Sequence, residues 1–354
     1  MNELPLARRA TLAFQRSLSR QIFSRPLICA ALGGSRLAPR DGRKLDPQCA
    51  ALLTVNALDA GADLTRFPAA EARVRFATSI AIVDEPPPPG VVTEDHQASG
   101  PLGPIPVRLY TPAGAVAPSP AVVYFHGGGW VVGSIATHDA FCRRLALAAR
   151  CRVVSVDYRL GPEHRAPAAA VDALAAFRWV AQRAGDLGID EARIAVGGDS
   201  AGGNLAAVVA QKAREDARRP ALQVLIYPGL DCTRSQLSHL TLGDGYLLTN
   251  ENMTWFLDNY VGGGDRKSPD VSPFFTEDLR GVAPALIYTA GFDPLRDEGN
   301  LYAARLRETG VKVRHWEFPS LIHGFVLMTG AIYAARLAVA EITGDVGRAL
   351  SRER

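Results

Sequence analysis

The sequence predicts an α/β fold, a mostly parallel sheet with helices on both faces. Three observations carry this. Beyond residue 90, short apolar runs alternate with helical stretches at the spacing of βαβ units. The run Ala121 to Phe125 is apolar without a break, as suits a strand covered on both sides. Glycine-rich turns follow two of the strands, at 126–130 and 198–203.

The first 85 residues read as helical. Leu4 to Phe23 mixes apolar residues with arginines, and Leu12, Ile22 and Phe23 form a candidate amphipathic stripe. Asp46-Pro47 opens a second helix that runs to Ala60, since proline suits the first helical position. Pro68 to Val83 reads as a third. Four prolines and a glycine at 86–90 then set a boundary. Val91 to Gln97 and Ile105 to Tyr110 read as strands. After the strand 121–125 come a helix at 137–149, a strand from Arg152 to Asp157 and a helix at 167–184. A strand from Arg193 to Val196, a helix at 201–214 and a strand from Leu222 to Tyr227 follow. Residues 229–282 interrupt the rhythm with Gly243, Gly245, a helix around Asn250 to Tyr260 and the Gly262–Gly264 loop. It resumes with a strand at 285–289, a helix at 296–309, a strand at 311–318 and a last helix at 331–350. The chain thus divides into 1–85, 86–228, 229–282 and 283–354.

Composition narrows the class. With 354 residues, 47% of them hydrophobic, there is ample material for a core, and wholesale disorder is excluded. No apolar run approaches the ~20 residues that span a bilayer. The net charge of +3 mixes both signs throughout, a poor nucleic-acid signature. Residues 1–45 are the exception, with nine basic residues against Glu3 and Asp41. This segment reads as a cap helix packed on its own protein with solvated arginines; contact with an anionic membrane surface is the weaker reading. Its apolar stretch begins too late, with no clear small-x-small site, for a secretory signal. Five cysteines, an odd number without Cys-x-x-Cys spacing, suggest neither a disulfide framework nor a zinc site; Cys142 and Cys151 read as buried thiols. A reducing, cytoplasmic setting fits.

Gly198-Asp199-Ser200-Ala201-Gly202 fits G-x-S-x-G between a strand and a helix. A nucleophilic serine needs that sharp turn to stand clear of the sheet, and the flanking glycines let helix and strand approach. The bland alternative is a glycine-rich turn. His126-Gly127-Gly128-Gly129-Trp130 directly follows strand 121–125. Its glycines allow main-chain N–H groups to approach a substrate oxygen. A phosphate loop is the alternative, but neither Gly-Lys-Ser/Thr nor G-x-G-x-x-G is present there. A base and an acid must then follow Ser200. His323 lies after the strand 311–318, at the carboxyl edge where α/β sites form, whereas His239 comes too early and His315 alternates within a strand. Asp293 follows strand 285–289; its rivals Asp297 and Glu298 fall in the next helix, where a solvated or capping role is usual.

Five stretches in order, HGGGW at 126–130, DYRLGPEHRAP at 157–167, GDSAGGN at 198–204, DPLRDEG at 293–299 and IHGF at 322–325, resemble the bacterial hormone-sensitive lipase family of carboxylesterases (family IV), in its GDSAG subgroup. The resemblance spans roughly residues 40–350. It implies the α/β-hydrolase fold, with eight strands and a helical cap drawn from 1–85 and 229–282. It implies Ser200 as nucleophile, His323 as base, Asp293 as its partner, and oxyanion N–H groups from Gly128, Gly129 and Ala201. Asp157, Arg159 and Glu163 would buttress the HGGG loop. Ser320 stands where many relatives have glycine. The implied activity is hydrolysis of short- to medium-chain acyl esters through an acyl-enzyme, without metal or cofactor, by a monomer or homodimer. An amidase or thioesterase, or a non-catalytic binding member of the fold, is the alternative. The cap residues Leu12, Phe23, Phe67, Leu247 and Phe256 would either line the pocket or pack on the sheet.

Overall fold

A computed structural model describes residues 6–59 and 61–351, with side chains left aside at 6–10, 12 and 13. One eight-stranded sheet runs through the molecule in the order β1-β2-β4-β3-β5-β6-β7-β8. Its strands are β1 (Val91–Gly100), β2 (Gly103–Pro112), β3 (Ser119–Phe125), β4 (Arg152–Val156), β5 (Ile189–Asp199), β6 (Leu222–Ile226), β7 (Ala285–Phe292) and β8 (Val313–Ile322). Only β2 runs against its neighbours, pairing antiparallel with both β1 and β4; every other pair is parallel. This is the α/β-hydrolase arrangement that the resemblance implied.

The pleat divides the core. In β3, Ala121, Val123 and Phe125 face one side while Val122 and Tyr124 face the other. The first side is covered by α6 (Ala168–Gln182), α7 (Ala201–Lys212) and α10 (Arg296–Glu308), the second by α5 (Asp139–Ala149) and α11 (Tyr333–Leu350). Burial on both faces is why Ala121 to Phe125 reads as an unbroken apolar run, and β7 is likewise buried along its whole length.

Four helices precede the sheet: α1 (Leu6–Phe23), α2 (Pro26–Gly33), α3 (Pro47–Leu58) and α4 (Ala69–Val83). Leu4 and Ala60, expected in the first and second helices, lie outside the described residues. Helix α3 starts where Asp46 accepts the N–H groups of Gln48 and Cys49, with Pro47 in the first turn. Helix α2 was not expected; Pro26 opens it, and Cys29 and Gly33 are its buried residues. Between β6 and β7 lie α8 (Leu237–Thr241) and α9 (Asn250–Tyr260), the latter opened by a reciprocal capping box between Thr249 and Asn252. Residues beyond α9 fold back onto α7: Asn204, Gln211 and Arg214 donate to the carbonyls of Val271, Pro273 and Asp278.

Strand β8 runs four residues further than expected, through Pro319 and Ser320, to Ile322. It is an edge strand, where proline's missing N–H costs no ladder bond. The added length puts His323 directly at the strand's carboxyl end.

Candidate active site

Three strand ends converge. Ser200 follows β5 at φ 54° and ψ −118°, a conformation non-glycine residues rarely adopt. Its N–H donates to Ile226 O at 2.9 Å, so the strained turn is anchored to β6. A Cβ on Gly198 or Gly202 would run into Phe125 O, so β3, the turn and α7 can approach only because both positions are glycine. Asp293 follows β7 and is fully buried; its Oδ1 accepts the N–H of Leu295 at 2.8 Å. His323 follows β8, with its ring 4.7 Å from that of Tyr227. Its Nδ1 lies 2.8 Å from Asp293 Oδ2 and its Nε2 lies 2.9 Å from Ser200 Oγ. A carboxylate only accepts, so the Nδ1 proton points at Asp293 and leaves the Nε2 lone pair for the serine hydroxyl.

Beside Ser200 lies the glycine loop. Gly128 (φ 123°), Gly129 (φ 57°) and Trp130 (φ 59°) form a run of positive φ ending on a non-glycine residue. Among the described residues, no protein acceptor takes the N–H of Gly128 or Gly129. The loop's inner side is held by buried polar groups. Asp199 accepts from Gly127 N–H at 2.9 Å, from Tyr124 at 2.7 Å and from Tyr227 at 3.4 Å, and its carboxylate lies 3.2 Å from His138 Nε2. Burial pushes this carboxyl up, but His138 and the donors outweigh it and hold it below the usual range. The Tyr158 hydroxyl donates to His126 O at 2.7 Å. Burial and the neighbouring His138 hold the His126 imidazole down to about 3.

Of the three residues implied as buttresses, Arg159 turns away to make a two-pronged pair with buried Asp172 of α6. Asp157 stays 4.0 Å from His126 Nε2. Glu163 reaches the loop only through Arg73, which also donates to Val131 O.

A cavity of about 680 Å³ opens over Ser200, His323, Gly127–Gly129 and Ala201. Its wall is mainly apolar, with Phe76, Ile80, Val83, Met253, Leu327 and Met328 among the lining residues. Leu247 and Phe256 line it as well. Phe23 is instead buried in the core, and Phe67 packs under the Arg75 guanidinium, 3.6 Å from its ring centre. The Leu12 side chain lies outside the described residues. The rival residues go elsewhere. His315 meets Thr289 Oγ1 at 3.1 Å, and Asp297 accepts the Ser238 N–H at 2.9 Å. Glu298 is not solvated: it is fully buried, accepts from the N–H of Leu230 and Asp231, and meets His239 Nε2 at 2.8 Å. Burial pushes its carboxyl up. Its place in a helix hid this, because a helical pattern shows nothing of the segment packed on that face. Asp199 was missed because the second position of G-x-S-x-G is unconstrained. Among the described residues, no group of three or more His, Cys, Asp or Glu could hold a metal.

The α/β-hydrolase fold family matches residues 122–327, more than half of the chain. The chain belongs to that family. Relatives 40–44% identical over three quarters or more of its length are named ester hydrolases, and on that ground it is a carboxylic ester hydrolase. The carboxylic ester hydrolase LipN of Mycobacterium tuberculosis is 44% identical over 308 residues, 83% of this chain and 80% of that one. The ethyl acetate hydrolase of Pseudomonas putida is 40% identical, over 75% of this chain and 85% of its own. Among solved structures, the ester hydrolase EH1AB1 from the Lake Arreo metagenome, complexed with a bipyridine phosphonate derivative, superposes with a TM-score of 0.82 at 41% identity. That match covers 86% of this hydrolase and 98% of the other chain. The hormone-sensitive lipase resemblance agrees with all three. No helix among the described residues is long and apolar enough to cross a membrane.

Proposed function

We propose that this hydrolase, a member of the GDSAG subgroup, cleaves short- to medium-chain acyl esters with Ser200 as nucleophile, His323 as base and Asp293 as the partner of that base. The observation that carries the reading is the unbroken chain from Ser200 Oγ through His323 to Asp293, with contacts of 2.9 and 2.8 Å. Ser200 Oγ attacks the ester carbonyl carbon while its proton passes to His323 Nε2. Asp293 holds the ring in the useful tautomer and stabilises the imidazolium. The carbonyl electrons move onto oxygen, which takes hydrogen bonds from Gly128, Gly129 and Ala201 N–H. One such donor is worth about 10²–10³ in rate in comparable sites. The imidazolium returns its proton to the leaving alcohol, and water repeats the steps on the acyl-enzyme.

The cavity supports the substrate class, because its volume and apolar wall suit a small ester with a modest chain. We read α1–α4 and the segment holding α8 and α9 as the cap that bounds it. Packing of α1 along α4, where Arg16 donates to Ala81 O at 2.8 Å, favours a cap role for the basic N-terminal segment over a membrane role. All five cysteines are buried and unpaired, which fits the reducing cytoplasm. The test is turnover of matched p-nitrophenyl ester and p-nitroanilide series by wild type and Ser200→Ala. Ester turnover that exceeds anilide turnover and vanishes in the variant is expected; anilide preference, or retained ester turnover, would overturn the assignment.

A further inference from the structure

We infer that Arg73, on cap helix α4, is a positioning residue for the oxyanion loop, so that the hole is set only while the cap is seated; this rests on the proposed roles of Gly128 and Gly129. The loop needs an outer support. Three consecutive positive φ values, one on Trp130, do not hold themselves. Asp199 and Tyr158 grip only its inner end, at Gly127 N–H and His126 O.

The outer end is gripped by one side chain from another part of the chain. Arg73 Nε donates to Val131 O at 2.8 Å and its Nη2 to Gly161 O at 2.8 Å. Its Nη1 and Nη2 meet the two oxygens of Glu163 at 2.9 and 2.6 Å. Four of the five guanidinium N–H groups are thereby engaged, and the Glu163 fork fixes the plane in which the other two bonds point. Both carbonyl contacts lead back to the hole. The N–H groups of Val131 and Val132 donate to Gly128 O at 3.1 and 2.9 Å, so the Gly128–Gly129 peptide is fastened to the stretch that Arg73 holds. Gly161 N–H donates to Trp130 O at 2.9 Å, so the second contact steadies the residue after Gly129. Lysine could not make these bonds together, because its single nitrogen lacks the planar fork.

Arg73 shares its helix face with Phe76, Ile80 and Val83, which wall the cavity at spacings of three, seven and ten residues. The far end of α4 is tied by Asp84, which accepts from Arg144 and Thr329. One seated helix therefore closes the pocket and aims the N–H groups. Glu163 is held down at about 2 by Arg73, so the grip persists through mildly acidic pH.

The experiment compares wild type, Arg73→Met, Arg73→Lys and Glu163→Gln with two ligands. A trifluoromethyl ketone accepts Ser200 Oγ at its carbonyl carbon, passes the serine proton to His323 and leaves an oxyanion in the hole. The acid product of the reaction forms no such adduct and reports on the pocket alone. Arg73→Met is expected to lower kcat by about 10–100-fold, less than or near the loss of one hole donor. KM and acid affinity should hold, while ketone affinity falls by the same factor as kcat/KM. Arg73→Lys and Glu163→Gln should fall between, with melting temperatures showing that each is folded; they carry the test if Arg73→Met does not fold. Unchanged kcat and ketone affinity in the folded variants, or equal losses for ketone and acid, would overturn the inference. Failure of the site assignment itself looks different: wild type would then form no ketone adduct at Ser200.

Discussion

Gly202→Ala sets two physical effects against each other. Gly202 lies in the first turn of α7, where alanine would ordinarily gain up to about 1 kcal/mol in helix propensity. The structure predicts the opposite sign. The added Cβ would overlap Phe125 O, and would lie 2.6 Å from Phe125 C and 2.7 Å from His126 O. All three are backbone atoms, so no rotamer change relieves the clash; α7 must retreat from β3 by roughly an ångström. Overpacking of this kind costs about 1–3 kcal/mol, and rigid backbone on both sides places this case at the upper end. The net loss is about 2 kcal/mol, which at ~2.1 cal/mol/K of unfolding entropy per residue is roughly 3 °C in melting temperature for a chain of this size. Function should suffer more. Ala201 N–H, Ser200 Oγ and the start of the glycine loop all border that contact, and a misplacement near 1 Å costs about 10²-fold in rate. The assay pairs thermal melting with kcat on a p-nitrophenyl ester. Gly344→Ala in α11 is the control, since its nearest neighbour is the flexible Arg348 guanidinium at 3.4 Å; it should gain stability and keep full turnover. Wild-type melting and turnover in Gly202→Ala would refute the packing reasoning.

Three further outcomes are expected. His126 is held down to about 3, so between the ordinary 6.5 and that value the unfolded chain binds a proton that the fold excludes. Stability should therefore fall on acidification through this window by up to about 1.4 kcal/mol per pH unit, and urea midpoints at two pH values should diverge less in His126→Asn than in wild type; equal divergence contradicts this. Asp199→Asn turns an amide NH₂ toward a pocket of donors, with an expected loss of about 1–3 kcal/mol and a drop in kcat at nearly constant KM; melting and kinetics together check it. Phe256→Ala removes part of the cavity wall and should shift the best substrate in an ester panel toward bulkier chains; an unmoved profile would place the ring outside the substrate's reach.

Glycine and strand patterning made the centre of the fold readable. A serine elbow and an HGGG loop each need glycine at fixed positions for steric reasons, so the requirement is written locally. Asp293 was legible because it follows an apolar strand and His323 because it follows an alternating one, both at the carboxyl edge. What stayed hidden depends on partners far along the chain. Nothing near Arg73 signals that it meets Val131 and Glu163, and nothing near Glu298 signals that 229–239 buries it. Strand β8 was ended early because Pro319 argues against a strand until the strand is known to be at an edge. Helix α2 escaped because eight residues of nearly uniform apolarity carry no helical period.

The most direct measurement is active-site labelling with a p-nitrophenyl phosphonate, read by intact mass and peptide mapping alongside residual activity. One phosphonyl group per chain, carried on Ser200, should appear in step with the loss of ester turnover, and Ser200→Ala should take up none. A label on another residue, or full turnover in the labelled protein, would contradict the assignment of Ser200 as the nucleophile.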